Sequence, residues 1–488
     1  MNLTQKTRRC GKRVLTTLLA CTMAWSPLSS AQSNYNLPSL GDNSSAIVSP
    51  QKEYELGQAW LRSFRSKVPA NSDALTYVYL EDLLNKLAQY SQLSDRKLEL
   101  VVVNNPSMNA FAVPGGVVGV HTGLFLHADT EAQLASVLSH ELAHLSQRHF
   151  ARGVEKARQN TVPFMAAMLA SLVIAATTGG DAGLAAISAT QAAALDSKLR
   201  FSRQNEQEAD RIGMQTMIAA NMDPHAVAEM FERMLRTTRY SRRPPEFLLT
   251  HPVTESRIAD ALNRAGNQPR RQYQENVDFH LMRSRAILLH SETAEQAVKR
   301  FRNELVGESH SSEASRYGLV LALIKSHQYP QASEALQPLL QSSPDKIAYL
   351  LASADILAGQ GDFYGALKVL EGQLQKQPEN HPLTVRYAEL LMENGNYPLC
   401  EEVLQQHIKR RPKDDYVWYL LAEAHGLAGN IYGVHSARAE YFILNGVFDK
   451  AKQQLENALS YVKQDYLKRA LIEERLRQVD QMMQEVTL

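Results

Sequence analysis

Cysteine is nearly absent: Cys10, Cys21 and Cys400 are the only three in 488 residues. That scarcity excludes a disulfide framework as the source of stability, and if the first two leave with a leader, no intramolecular bridge can form. Charge of one sign is missing as well. Lys and Arg number 52 against 51 Asp and Glu, and no block of like charge stands anywhere. Nucleic acid and strongly anionic surfaces are therefore poor candidates as main partners. Long uncharged runs are scarce. The segment 161–180, "TVPFMAAMLASLVIAATTGG", carries no charge, but it is rich in Ala and Thr and runs on towards Asp181. It reads as a buried helical hairpin, with a dip into a membrane surface as the residual expectation.

What is present is ordinary in bulk: 44% hydrophobic and 21% charged residues, the balance of a soluble globular chain. The length exceeds what one core supports, so two or more domains are expected. The first residues have the layout of an export signal. "KTRRCGKR" is basic, "VLTTLLACTMAW" is apolar, and Ser29 and Ala31 supply small residues at the spacing of a cleavage site. Residues 1–31 are read as a signal peptide, against the competing detail that "LLAC" loosely resembles a lipidation box at Cys21. Residues 32–50 read as a disordered lead-in.

The expected fold is mainly α: an α+β domain with a small sheet over 51–270, then connecting helices over 271–312 and a helical solenoid over 313–460. A closing helix takes 461–488. Residues 51–95 show helical spacing, "LELVVVNN" reads as a strand, and "NAFAVPGGVVGVHTGLF" as two β-prone runs around a Pro-Gly-Gly turn. A long helix is predicted from Thr130 to Val154 and another over 203–219. In the C-terminal half Pro344, Pro378 and Pro412 are 34 residues apart, and Tyr329, Phe363 and Tyr397 share that period. Ala332, Ala366 and Cys400 hold one small-residue position of it. This resembles tetratricopeptide repeats, whose stacked helix pairs form a concave surface for partners. Cys400, at such a position, is expected to be a buried structural thiol.

"SHELAHL" carries the chemistry. His140 and His144 lie i, i+4 on one helical face and can both reach one zinc ion. Glu141, about 100° around from the first, can take a proton from water at the metal. His149 lies five residues beyond His144, so it faces elsewhere and is not expected to touch metal. A third ligand must come from another helix. "NEQEAD" offers it, with Glu206 and Asp210 again i, i+4, so that one carboxylate can bind metal while the other orients a histidine.

"HELAH" followed by "SRQNEQEADRIG" resembles the HtpX/Ste24-type gluzincin metallopeptidases, whose E-x-x-A-D-x-x-G motif is filled by Glu206, Ala209, Asp210 and Gly213. The resemblance implies Glu206, and not Glu208, as third ligand of one zinc ion. It implies Asp210 as a proton donor, though orientation of a histidine is equally open. "NAFAVPGGVVGV" matches the stretch where the family keeps an edge strand beside its cleft, so Asn109, Ala110, Phe111, Gly115, Gly116, Val117 and Val118 are candidates for backbone pairing with an extended substrate. "LLTHPVTESRI" matches a further family pattern. There His251 could stabilise an oxyanion, cap the zinc, or simply pack against the catalytic helix. An export leader, a site without confident flanking spans and a repeat array together resemble the exported, periplasmic members that act in β-barrel assembly. That resemblance implies outer-membrane β-barrel proteins as clients and assembly machinery as partner of the repeats. The rival expectation is a periplasmic chaperone or scaffold whose zinc site is closed and structural.

Overall fold

The computed structural model describes residues 48–68, 73–156, 203–240, 245–269, 271–307 and 309–487. The leader, most of the lead-in and the 161–180 segment lie outside the described residues. Among the described residues no helix is long and apolar enough to cross a membrane.

Ser49 accepts from the Lys52 N–H and Pro50 opens helix α1 (Pro50–Arg65), a usual pairing of cap and first-turn proline. Helix α2 (Ala74–Tyr90) follows, then β1 (Glu99–Val103), β2 (Ala110–Val113) and β3 (Val117–His121). The strand order is β1-β3-β2, with β1 parallel and β2 antiparallel to β3. Side chains alternate across this small sheet. Val101, Val103, Phe111, Val113 and Val117 pack on Trp60, Leu61 and Phe64 of α1. Leu100, Val102, Ala110, Val118 and Val120 belong to the larger core with Leu80, Leu84 and Leu87 of α2. The turn between β2 and β3 holds Gly115 and Gly116 at φ of 82° and 85°. A side chain at Gly115 would also stand 2.7 Å from the Glu53 carbonyl oxygen of α1, so only glycine fits.

Beyond the short α3 (Leu124–His127), helix α4 (Glu131–Ser146) is capped by Thr130, which accepts from the Gln133 N–H, while Gln133 accepts from the Asp129 N–H at 2.8 Å. The predicted long helix is in fact broken. Arg148 adopts φ 50°, and a second helix, α5 (His149–Lys156), starts in a new direction. Glu53 and the Val48 carbonyl hold the Arg148 side chain, at 2.9 and 2.6 Å. Such a left-handed residue costs on the order of 1 kcal/mol and persists where its surroundings fix it.

Helix α6 (Arg203–Ala219) crosses α4, with α7 (His225–Tyr240), α8 (Glu246–Thr250) and α9 (Glu255–Gly266) behind. From α10 (Val277–Leu289) and α11 (Ala294–Val306) onward the chain is helical hairpins: α12 (Ser312–Lys325) with α13 (Tyr329–Ser342), α14 (Ile347–Gly359) with α15 (Phe363–Lys376), α16 (His381–Glu393) with α17 (Tyr397–Ile408), α18 (Asp415–Leu427) with α19 (Ile431–Leu444), and α20 (Phe448–Tyr461) with α21 (Tyr466–Thr487). The 34-residue period has a backbone counterpart. Gly361, Gly395 and Gly429 end the first helices of successive pairs at φ of 77–86°, and His327 takes that place in the pair before at 58°. Ala332, Ala366 and Cys400 are fully buried between paired helices. The Cys400 thiol donates to the Ala388 carbonyl and burial pushes its pKa up to about 12, as befits a structural thiol.

The hairpins do not stand apart from the sheet-bearing region. One core runs from the sheet and α4 through to Tyr349 and Ile356 of α14, and α16 packs on α2. Arg411 clasps Glu81 of α2 with bonds of 3.0–3.2 Å and lies over the Tyr77 ring.

Candidate metal centre

Two helices meet closely because three residues at their crossing are small. Ala143 of α4 packs with Ala209 and Ile212 of α6, and a side chain at Gly213 would stand 3.1 Å from the His140 backbone nitrogen. This close approach carries Glu206, one turn before Asp210, to the histidines of α4.

Four side chains converge there. His140 Nε2 lies 3.0 Å from His144 Nε2 and 3.3 Å from His251 Nδ1. Glu206 places Oε2 at 3.5 Å from His140 Nε2 and Oε1 at 3.5 Å from His144 Nε2. His251 Nδ1 is 3.2 Å from Glu206 Oε1. All four donor atoms fall within 4.8 Å of one another, and all four residues are buried. A tetrahedral ion with bonds of about 2.0–2.1 Å holds its ligand atoms roughly 3.3 Å apart, so three nitrogens and a carboxylate so spaced suit a divalent cation of the zinc type. Without a cation, facing imidazole lone pairs would repel. Burial opposes a charge on His140, but Asp210 and Glu206 raise its pKa to about 9, while burial and the neighbouring His140 keep His144 well below its ordinary value.

Glu141 is buried beside this cluster. Burial raises its pKa, although it accepts from the Ala112 N–H of β2. Its Oε1 is fully buried with no hydrogen-bond partner and lies 3.5 Å from His251 Nε2. A buried carboxylate oxygen without a donor is costly, and it marks a place for a proton-bearing group such as water.

Asp210 lies on the other side of the His140 ring, Oδ1 at 3.0 Å from Nδ1, away from the converging nitrogens. The proton-donor role implied by resemblance does not suit that position, since the imidazole ring stands between its carboxylate and the site. Orientation of His140 does. Arg257 holds Asp210 through two 2.6 Å bonds, reaches Glu206 at 3.0 Å and donates to the Pro252 carbonyl next to His251. It stands in the "HPVTESRI" stretch, but its pairing with both carboxylates was not visible there because it is made across 47 and 51 positions. His149 is another correction. The break at Arg148 turns its ring back so that Nδ1 sits 2.8 Å from His144 Nδ1. Glu208 pairs with His149 and Arg152 and stands outside the cluster.

The substrate-pairing candidates divide. Val117 and Val118 lie on β3, the central strand, whose backbone is spent on both neighbours. Gly115 and Gly116 are covered by α1 and the Lys97 carbonyl. The Phe111 ring lies over Gly119 under α1, and Asn109 donates to Glu246 at 3.3 Å. These positions are therefore withdrawn as direct contacts. β2 does form the sheet edge. Because the His121 N–H bonds the Asn109 carbonyl, alternation turns the backbone of Phe111 and Val113 towards β3 and that of Ala110 and Ala112 outward, with Ala112 next to Glu141. The short α8 sits against the segment before β2, where Glu246 accepts from Ser107 and Asn109. Phe247 stacks on the His251 ring at 4.7 Å and its N–H approaches the Met108 carbonyl at 3.4 Å.

Residues 74–265 match the model of peptidase family M48, and residues 357–424 that of the tetratricopeptide repeat. The chain is 33% identical to a β-barrel assembly-enhancing protease of Escherichia coli O157:H7, over 98% of both chains. It is 32% identical to a putative β-barrel assembly-enhancing protease of Vibrio cholerae, over 92% of both. The mitochondrial metalloendopeptidase OMA1 of Schizosaccharomyces pombe shares 35% identity over 38% of the chain and 51% of its own length.

Proposed function

The chain belongs to the β-barrel assembly-enhancing protease family, and from this premise we propose that it is an exported zinc endopeptidase acting on outer-membrane β-barrel proteins in the periplasm. The observation that carries the chemistry is the buried His140, His144 and Glu206 cluster with the unpartnered Glu141 oxygen beside it. His140, His144 and Glu206 would hold the ion. When bound, zinc supplies Lewis acidity that activates water and polarises a carbonyl. Glu141 takes the proton from the attacking water and delivers it to the leaving amine, a task its buried, raised-pKa carboxyl suits. Asp210, backed by Arg257, keeps His140 in one tautomer. The outward backbone of Ala110 and Ala112 offers an edge to which an extended client segment adds as a strand, a mode that suits unfolded barrel strands and asks little of their side chains. The repeat hairpins provide the surface for a partner in barrel assembly.

His251 decides between this reading and the closed structural site of a scaffold. As a fourth donor, 3.2 Å from Glu206, it would take the place that a water needs at a bound ion. We favour a capped protease in which departure of His251 admits the water. His251→Ala is therefore expected to retain zinc and to cleave an unfolded barrel segment faster, by about tenfold if capped chains outnumber open ones by that ratio. Metal analysis beside a peptide-cleavage assay checks it. A variant that loses zinc and cleaves nothing would favour the structural site.

A further inference from the structure

The two histidines of α4 are held from behind by different means. His140 has Asp210 and then Arg257, all buried. Behind His144 stands a second chain of contacts. His149 Nδ1 is 2.8 Å from His144 Nδ1, with the rings edge-on at 74°. His149 Nε2 is 3.2 Å from Glu208 Oε2, which accepts from Arg152 at 2.9 Å.

Proton placement along this line follows from which nitrogen faces the cluster. His144 turns Nε2 towards His140 and Glu206, so that atom must keep its lone pair to act as a donor to a metal. The ring proton is then on Nδ1 and needs an acceptor, which His149 Nδ1 supplies. His149 in turn carries its proton on Nε2 and donates it to Glu208, whose charge Arg152 balances. Reversing either tautomer would set two protons or two lone pairs against each other at 2.8 Å. The line ends in a carboxylate and a guanidinium that are a quarter and a third exposed, so this histidine is braced from the protein surface.

We propose that His149, anchored by Glu208 and Arg152, is a positioning residue that fixes the tautomer and orientation of His144 and so sets the affinity of the centre for zinc. The inference rests on the zinc reading above. The chain bend at Arg148 serves this purpose, since it alone lets a residue five places on fold its ring back onto His144.

Zinc affinity of the full mature chain, measured by competition with a chromogenic chelator, tests it together with melting temperature in excess chelator. His149→Ala is expected to weaken zinc binding by about tenfold or more, the usual cost of losing a partner behind a ligand histidine. His149→Gln, whose amide oxygen can accept from His144, is expected to stay within about threefold of the unaltered chain, and Glu208→Ala to fall between. Chelated forms of the Ala and Gln variants are expected to melt together, which separates positioning from general stability. Equal affinity for His149→Ala and the unaltered chain, or equal weakening in the Ala and Gln variants, overturns the inference alone. An unaltered chain that binds no zinc overturns it together with the zinc reading.

Discussion

Replacing Glu141 with Gln is expected to lower peptide hydrolysis by about 10²–10⁴-fold while the zinc content of the protein stays unchanged. The size follows from what the amide keeps and loses. Gln can still accept from the Ala112 N–H, and Glu141 is not among the four donors that converge on the metal position, so the fold and the cluster have no reason to change. It cannot take a proton. The raised pKa of the buried carboxyl brings it nearer the operating pH, where a group that must both accept and return a proton works best. Cleavage of an unfolded barrel segment, assayed beside metal content, checks the prediction, and near-normal cleavage would remove Glu141 from the mechanism.

The second large effect falls on stability. Arg257 is buried, bonded twice to Asp210 and once to Glu206, with its guanidinium 4.9 Å from the Phe231 ring centre. Arg257→Met fills similar space but removes the guanidinium that the two buried carboxylates share. Removing one partner of such an arrangement costs about 3–5 kcal/mol, because the remaining charge is stranded where water cannot reach it. Arg257→Lys should recover only part, since an ammonium cannot repeat the planar two-bond grip on Asp210. Denaturant unfolding of the chelated protein measures both. A loss below about 1 kcal/mol for Arg257→Met would contradict the role assigned to the pair.

Local periodicity made much of this site legible. Four-residue spacing put His140 with His144 and Glu206 with Asp210, and α6 begins and ends where its pattern predicted, at Arg203 and Ala219. The repeat phase was equally visible, because proline and small residues act within one hairpin. What stayed hidden depends on distant residues. The bend at Arg148 rests on Glu53 and Val48, almost a hundred positions earlier, and without it His149 points away from His144. The β2–β3 hairpin could be read from its Pro-Gly-Gly turn. Which of its strands keeps a free edge could not, because that depends on β1 pairing in parallel with β3. Val117 and Val118 were lost as substrate contacts for this reason, and Gly115 and Gly116 because α1 folds over the turn.

The direct test of the whole account is the metal content of the purified protein, set against that of Glu206→Ala. The account predicts about one zinc per chain in the first and, at the same total zinc, a clear loss in the second, because α6 supplies the carboxylate that joins two histidines of α4 into a site. A metal-free unaltered chain, or one that keeps its zinc without the carboxylate at 206, would contradict it.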